Sequence, residues 1–207
     1  MTDAPTREGQ GVMALDPTQD DLAVSALAAA FRDNPLNVAV VGGDDARRLR
    51  CNRVGMRQLI PSTRRVGTVL AAQTPAGLGV LLAQPPGLYP LPPAPLGDQL
   101  RTAWAQGIRV ALRWRRVFEH LDRVHPLEPH WYLATLGVAP AAQGRGVGRA
   151  LLDALVRRAD RDALPIYLET DRAENLAFYE RVGFRSLHET QIFDTRIWHM
   201  QREARRD

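Results

Sequence analysis

Between Trp131 and Arg161 the chain changes its hydrophobic period. Trp131 to Val138 is a nearly unbroken apolar run, which predicts a buried strand. Beyond it Leu151, Leu152, Leu155, Val156 and Ala159 recur at helical spacing, with Asp153, Arg157, Arg158 and Arg161 on the opposite face. Pro140 closes the strand, and glycine then takes every second position at Gly144, Gly146 and Gly148. Before this unit the pattern predicts a short strand over 12–15. A helix follows, capped by Thr18 with Asp21 three residues on, and stopped by Asn34-Pro35. A second helix is expected over 44–59, then strands over 65–73 and 78–83 joined by the Thr74-Pro75-Ala76-Gly77 turn. Prolines 85, 86, 90, 92, 93 and 95 bar regular structure from Gln84 to Pro95. One or two helices, broken near Gly107, are expected within 96–121. After the glycine loop and its helix, a strand over 166–169 should run parallel to the Trp131 strand through a right-handed crossover. A short helix within 171–181 and two antiparallel strands, 184–187 and 191–200, complete the pattern.

Composition sets the scale. The chain has 207 residues, 45% of them hydrophobic, which suits one globular domain with a real core. The reading is therefore a single domain over 1–207, with a loose tail over 1–10 and a Pro-rich and helical insertion over 84–125. All 27 basic residues are arginine and the formal net charge is +4. This usage suggests a high-GC coding sequence more than a nucleic-acid partner, and none is expected. The basic end from Arg202 to Arg206 is interrupted by Glu203 and Ala204 and reads as solvated. Cys51 is the only cysteine, so an intramolecular disulfide is impossible. No apolar run nears the ~20 residues that span a membrane, and Thr2 to Gln10 lack a signal-peptide core. No membrane partner and no metal are expected, and the compartment is read as cytoplasmic.

The glycine loop carries the candidate chemistry. A strand, a glycine loop and a helix deliver backbone N–H groups and the positive end of the helix dipole to one point, which favours a phosphate or pyrophosphate. A nucleotide P-loop needs Lys then Ser/Thr after its last glycine, but Arg149-Ala150 follows Gly148. A dinucleotide fingerprint needs G-x-G-x-x-G. Counted from Gly144 the sixth position is Arg149, and from Gly146 it is Leu151. Glu169, about 20 residues on, is the best point for that reading, but the register is wrong.

What does match is Gln/Arg-x-x-Gly-x-Gly/Ala, here Gln143-Gly144-Arg145-Gly146-Val147-Gly148, placed after Val138-x-Pro140. Downstream stand Tyr167-Leu168-Glu169-Thr170 and Asn175-Leu176-Ala177-Phe178-Tyr179-Glu180-Arg181-Val182-Gly183-Phe184. The pair of motifs, over Trp131 to Arg185, resembles the GCN5-related N-acetyltransferases (GNAT). Pro129-His130-Trp131-Tyr132-Leu133, Leu168-Glu169-Thr170 and Arg196-Ile197-Trp198-His199-Met200 look most like that family's puromycin N-acetyltransferase-like bacterial members. This second likeness weakens over residues 1–125.

The resemblance implies a mixed α/β fold of the acyl-CoA N-acyltransferase type. Its central sheet is mostly antiparallel, with two parallel strands that splay apart, and helices flank it. It implies an acetyl-CoA-binding core over 131–185, coenzyme A as product, and direct acetyl transfer to a primary amine of a small molecule. Gln143, Gly144, Arg145, Gly146, Val147, Gly148 and Arg149 would hold the pyrophosphate. Leu136 and Val138 would meet the thioester and pantetheine through their backbone, with Asn175 and Phe178 alongside. Tyr179 would be the general acid, since a phenol of pKa ~10 can protonate a departing thiolate. The base is open between Glu169, directly or through water, and His130 or Tyr132. Phe31, in Ala30-Phe31-Arg32-Asp33-Asn34-Pro35, His130 and Tyr132 are expected at the acceptor. Strict alternation would put His130, Tyr132, Ala134, Leu136 and Val138 on one strand face. Arginines of 44–59 and 97–123 are expected to flank the acceptor pocket, with Trp104 a candidate wall. The insertion is open between a cap, a dimer surface and extra core, and the assembly between monomer and homodimer. Two other classes stay in view: a non-catalytic acyl-CoA-binding module and a nucleotide- or dinucleotide-dependent enzyme.

Overall fold

The computed structural model describes residues 11–205. The expected loose tail over 1–10 and Arg206 lie outside the described residues. In chain order the elements are β1 (Val12–Ala14), α1 (Asp20–Ala30), α2 (Pro35–Val41), α3 (Asp45–Val66), β2 (Thr68–Thr74), β3 (Gly77–Gln84), α4 (Leu96–Gln106) and α5 (Ile108–Val124). Then come β4 (Trp131–Val138), α6 (Val147–Arg161), β5 (Ile166–Thr170), α7 (Leu176–Glu180), β6 (Arg185–Ile192) and β7 (Thr195–Arg202). The strands form one mixed sheet in the order β1-β2-β3-β4-β5-β7-β6. Every neighbouring pair is antiparallel except β4 and β5. Among the described residues no helix is long and apolar enough to cross a membrane.

Helices cover both faces. On one, the apolar stripe of α6 buries Leu151, Leu152 and Leu155 against Leu81, Leu133, Leu168 and Met200. On the other, Leu27 of α1 and Ile60 of α3 pack on Val69, Val80 and Leu82. A smaller cluster joins α2 and α5 through Val40, Val41, Val110 and Val117. Each buried aliphatic side chain contributes about 1.5–3 kcal/mol, so the sheet is clamped from both sides.

Five local expectations are corrected. Asp16, not Thr18, is the first cap, accepting the Thr18 N–H at 2.8 Å. Asn34-Pro35 does not simply stop a helix: α1 ends at Ala30 and Pro35 opens α2, because proline lacks only an N–H that the first turn would leave unused. α3 runs through Pro61 to Val66, so Arg65 to Gly67 are not strand. Pro61 deprives the carbonyl of Arg57 of its donor, but Arg57 is exposed and water can serve, while Ile60 and Thr63 stay buried on the sheet. The last hairpin turns at Phe193 and Asp194, both at positive φ, which leaves Gln191 and Ile192 in β6. Arg202 is not part of a solvated end. It is buried, donating two bonds to Asp160 at 2.8 and 3.0 Å and one to the Val182 carbonyl at 3.1 Å.

α6 lies close on β3 because residue 79 is glycine. A Cβ there would fall inside Val147 Cγ1 and 3.0 Å from Leu151 Cδ1. Gly79→Ala is expected to push α6 outward and cost about 1–3 kcal/mol by overpacking. Urea denaturation checks it, and an unchanged midpoint would show that α6 does not depend on this contact.

Candidate functional site: where the two parallel strands part

β4 and β5 pair only at Trp131↔Ile166 and Tyr132↔Tyr167, although both strands continue to Val138 and Thr170. The cause is local to β4. Its register with β3 slips between Leu82↔Thr135 and Ala83↔Leu133, so Ala134 is the extra residue of a β-bulge. The bulge reverses which residues face which neighbour. Before it, the Trp131 N–H donates toward β5, to the Pro165 carbonyl at 2.9 Å; after it, the Ala139 N–H donates toward β3, to the Leu78 carbonyl at 2.9 Å. Alternation then turns the N–H groups of Leu136 and Val138 to the parted side. The Val138 carbonyl accepts from Gln143 Nε2 at 3.1 Å, so it too looks away from β3.

The bulge also corrects the expected single face. Tyr132 sits opposite Gln84, and Thr135 opposite Leu82, on the α1 side; Leu136 and Val138 pack with the α6-side core. Gly137 lets α1 lie against β4, since a Cβ there would stand 2.7 Å from Leu27 Cδ2 and 3.0 Å from Phe31 Cε2. Phe31 is thereby placed over the parted segment.

The glycine loop borders the same gap. Gln143, Gly144, Arg145 and Gly146 are exposed, and α6 begins at Val147. The first-turn N–H groups of Val147, Gly148 and Arg149 have no intrahelical acceptor. Gly144 and Gly146 hold φ of +72° and +83°, and a Cβ at either would meet no protein atom within 4 Å. What fixes glycine at 144 and 146 in this structure is conformation, not crowding. Gly148 is tighter, its Cβ position lying 3.5 Å from Val138 Cγ2 and 3.8 Å from Phe178 Cζ. The Arg149 side chain turns to Asp153 at 2.8 Å, and Arg145 Nε donates to the Ala141 carbonyl at 3.3 Å. An exposed cradle of helix-terminal N–H groups, beside a strand edge with unclaimed N–H groups, fits a ligand with a pyrophosphate and an amide-bearing arm.

Tyr179 is buried on this side, edge-on to Phe178 and Phe184 at centroid distances of 5.1 and 5.6 Å. Burial, and then the nearby Asp171 carboxylate, push its hydroxyl well above the ordinary phenol value, so it keeps its proton. Asn175 Nδ2 donates to Thr170 Oγ1 at 3.2 Å. Asp171 ties the end of β5 to α2, accepting from the Leu36 N–H at 2.8 Å and Asn34 Nδ2 at 3.2 Å. Burial raises its carboxyl.

Across the sheet, Glu169 is buried among rings. Burial first, and then the Glu169 carboxylate, push the Tyr132 and Tyr167 hydroxyls well above the ordinary phenol value. His130 Nδ1 lies 2.7 Å from the Glu128 carbonyl, and its Nε2 3.0 Å from His125 Nε2. Tyr89 stacks on His125 at 3.4 Å between centroids and donates to Asp122 Oδ1 at 2.5 Å. Tyr167 Oη meets His199 Nδ1 at 2.6 Å, and His199 Nε2 meets Thr190 Oγ1 at 2.8 Å. The sequence reading missed Tyr89, Asp122, His125, Tyr167 and His199. One signal was present: Tyr89 is the lone aromatic in the proline stretch, and Asp122 and His125 stand three apart at the end of an amphipathic helix.

Two expected neighbours are elsewhere. Trp104 is 88% exposed. Arg47, Arg50, Arg53, Arg57, Arg109 and Arg113 line clefts between α2, α3, α4 and α5, of which Glu169, Tyr132 and Tyr179 form no part. Cys51 is buried against the Gln106 carbonyl, and burial raises its thiol, which makes it a poor nucleophile.

His199 is fully buried, and burial pushes its ring down from 6.5 to about 4. Below pH 6.5 the unfolded chain binds a proton that the folded chain refuses until about pH 4. Stability is therefore full above the unfolded value and falls with pH across this window, by about 3 kcal/mol at about 1.4 kcal/mol per unit. Denaturation midpoints from pH 7 to 4 should show that slope, and His199→Gln should flatten it. An equal slope in both proteins would assign the loss to other groups.

Residues 103–184 match the model of the Acetyltransferase (GNAT) family. The chain is 37% identical over 76 residues to a mycothiol acetyltransferase of Streptomyces avermitilis, covering 35% of this chain and 24% of that protein. It is 42% identical over 65 residues to the N-alpha-acetyltransferase RimI of Mycobacterium tuberculosis, covering 31% and 40%. The chain thus spans about a quarter of the length of the first relative and well under two thirds of the second. Over the whole chain, a Corynebacterium glutamicum crystal structure described as histone acetyltransferase HPA2 and related acetyltransferase superposes with a TM-score of 0.72 at 24% identity, covering 95% of this chain and 97% of that one. The parted strands and the glycine cradle fall within the segment that matches the GNAT acetyltransferase family model, and the whole chain has the fold of the acetyltransferase structure it superposes on.

Proposed function

We propose that the chain is an acetyl-CoA-dependent N-acetyltransferase acting on a primary amine of a small molecule. The observation that carries this reading is the parting of β4 from β5. It leaves the two strands without a ladder between N–H donors and a protonated phenol on one side and a buried carboxylate on the other. A binding module needs only the first side. A nucleotide-dependent enzyme gives no reason for the gap.

Acetyl-CoA supplies an acetyl group activated as a thioester. The first-turn N–H groups of α6, with the backbone of Gln143 to Gly146, hold its pyrophosphate. The edge of β4 at Val138 pairs with the arm, and the Leu136 N–H favours negative charge developing on the carbonyl oxygen. Asn175 and Phe178 border the arm. Tyr179 holds the proton that the leaving sulfur takes. On the far side Glu169 takes the proton that an ammonium must lose before attack. Residues 84–125 act as a wall of the acceptor site, since Tyr89, Asp122 and His125 all meet the Glu169 cluster. Phe31, Tyr132 and His130 complete it, with puromycin a suitable test compound.

An amino-acid-like α-amine suits this site, because its pKa near 7.7–8.0 leaves a substantial neutral fraction at pH 7. A second acceptor, a protein α-amine, is favoured by the name of the RimI relative. An amine and peptide panel with thiol release as readout separates the two, and silence across the panel with intact acetyl-CoA binding would leave a binding module.

Two substitutions test the donor side. Gly146→Ala forces a side chain onto φ +83°. It should cost about 1–2 kcal/mol of stability and weaken acetyl-CoA binding at least about tenfold; calorimetric titration with unchanged affinity would remove the loop from the site. Tyr179→Phe should lower kcat by roughly 10²-fold with acetyl-CoA affinity nearly kept. Full turnover would reduce Tyr179 to packing.

A further inference from the structure

On the acceptor side two polar atoms face each other without partners. His125 Nδ1 and Glu169 Oε1 are 3.9 Å apart, their side chains 6% and 8% exposed, and neither makes a hydrogen bond. Buried polar atoms are nearly always paired, and leaving one unpaired costs about 1–3 kcal/mol. Two such orphans facing each other point to something that belongs between them.

The hydrogen-bond network says what kind of group that is. The Glu128 carbonyl can only accept, so His130 Nδ1 carries a proton and donates to it. Burial holds the His130 ring neutral, which leaves its Nε2 as an acceptor. The Nε2–Nε2 contact at 3.0 Å needs one proton, so His125 Nε2 supplies it. In that neutral tautomer His125 Nδ1 presents a lone pair. Two acceptors therefore look at each other across the gap, and the missing piece is a group with at least two donors.

We propose that the gap between His125 Nδ1 and Glu169 Oε1 seats the ammonium group of the acceptor, making His125 of the insertion a substrate-binding residue. This deepens the acetyltransferase reading and rests on it. A primary ammonium donates one N–H to each atom and keeps one substituent. The surrounding rings of Tyr89, Tyr132 and Tyr167 favour a small amine on an aromatic body. Passing one proton to Glu169 breaks an N–H bond, forms an O–H bond and frees the nitrogen lone pair, while His125 still holds another N–H and so orients that pair. Quaternary ammonium groups, which have no N–H, are refused.

The test begins on the unmodified protein. With ¹⁵N-labelled histidine, long-range ¹H–¹⁵N correlation should show His125 as the Nε2–H tautomer, its resonance assigned by its loss in His125→Leu. The Nδ1 shift should respond to 2-phenylethylamine and not to the N,N,N-trimethyl form. An Nδ1–H tautomer, an equal response to both compounds, or a response to neither overturns the proposal. In turnover, His125→Leu should raise the amine KM at least tenfold with the acetyl-CoA KM unchanged. His125→Asn, whose Oδ1 stands near Nδ1, should recover most of the loss. Equal loss in both variants, or an acetyl-CoA KM that rises in step, also overturns it. A wild-type protein that acetylates no amine defeats the acetyltransferase reading instead, and the spectra still decide the gap.

Discussion

The structure depends on a strand that leaves its neighbour. Parallel strands normally continue their ladder, and buried backbone groups left unpaired are costly. β4 nevertheless abandons β5 after Tyr132. The bulge at Ala134 turns the strand, and the clamp around it keeps the gap open. β3 holds one edge of β4 through a long antiparallel ladder, α6 packs on one face, and Leu27 and Phe31 fill the hollow over Gly137 on the other. β5 is held from its far side by β7 along its whole length, and Asp171 fastens its end to α2. Neither strand can relax toward the other without breaking a ladder or a core contact. The unpaired edge is thus a stored binding capacity, and an extended ligand with amide groups recovers what the sheet gives up.

The insertion solves a second problem. A gap through a sheet exposes its carboxylate to water from behind. The proline-rich stretch and α5 bring Tyr89, Asp122 and His125 against Glu169, Tyr132 and Tyr167. Burying so many titratable groups costs stability, as the depressed ring of His199 shows. Neutral tautomers and mutual hydrogen bonds keep that cost bounded.

The sequence made one half of this legible. The glycine loop, the strand before it, the amphipathic helix after it and the break at Gly107 all lie in local periodicity and turn chemistry, and the structure has them within a few residues. What it hid depended on partners far along the chain. Alternation along β4 predicted one face for residues 130 to 138, but a bulge is set by the pairing strand and inverts the pattern at Ala134. Pro35 read as a stop because proline's local preference ignores that the first turn of a new helix leaves its missing N–H unused. Arg202 looked like a tail residue, since its partner Asp160 lies 42 positions away, and the tie from Asp171 to Leu36 spans 135 positions. On the acceptor side Glu169 and Tyr132 were visible, whereas His125 and Tyr89 mean nothing until the insertion folds back.

The two sides of the gap also differ in polarity, and this constrains the direction of the proposed chemistry. On the α6 side the groups at the opening are donors: the Leu136 and Val138 N–H groups, the first turn of α6, and a phenol kept protonated by burial. On the other side they are acceptors: the Glu169 carboxylate and, by the tautomer argument, His125 Nδ1. A donor-rich wall favours the partner on which negative charge accumulates, and an acceptor-rich wall favours the partner that must shed a proton. Acyl transfer from a thioester to an ammonium has this asymmetry, with charge developing on the carbonyl oxygen and sulfur while nitrogen loses a proton. A hydrolase built on the same gap would need its acceptors to orient a water, for which a single carboxylate would serve. A second acceptor is of use when the incoming group has more than one N–H to satisfy and must keep one while it gives up another.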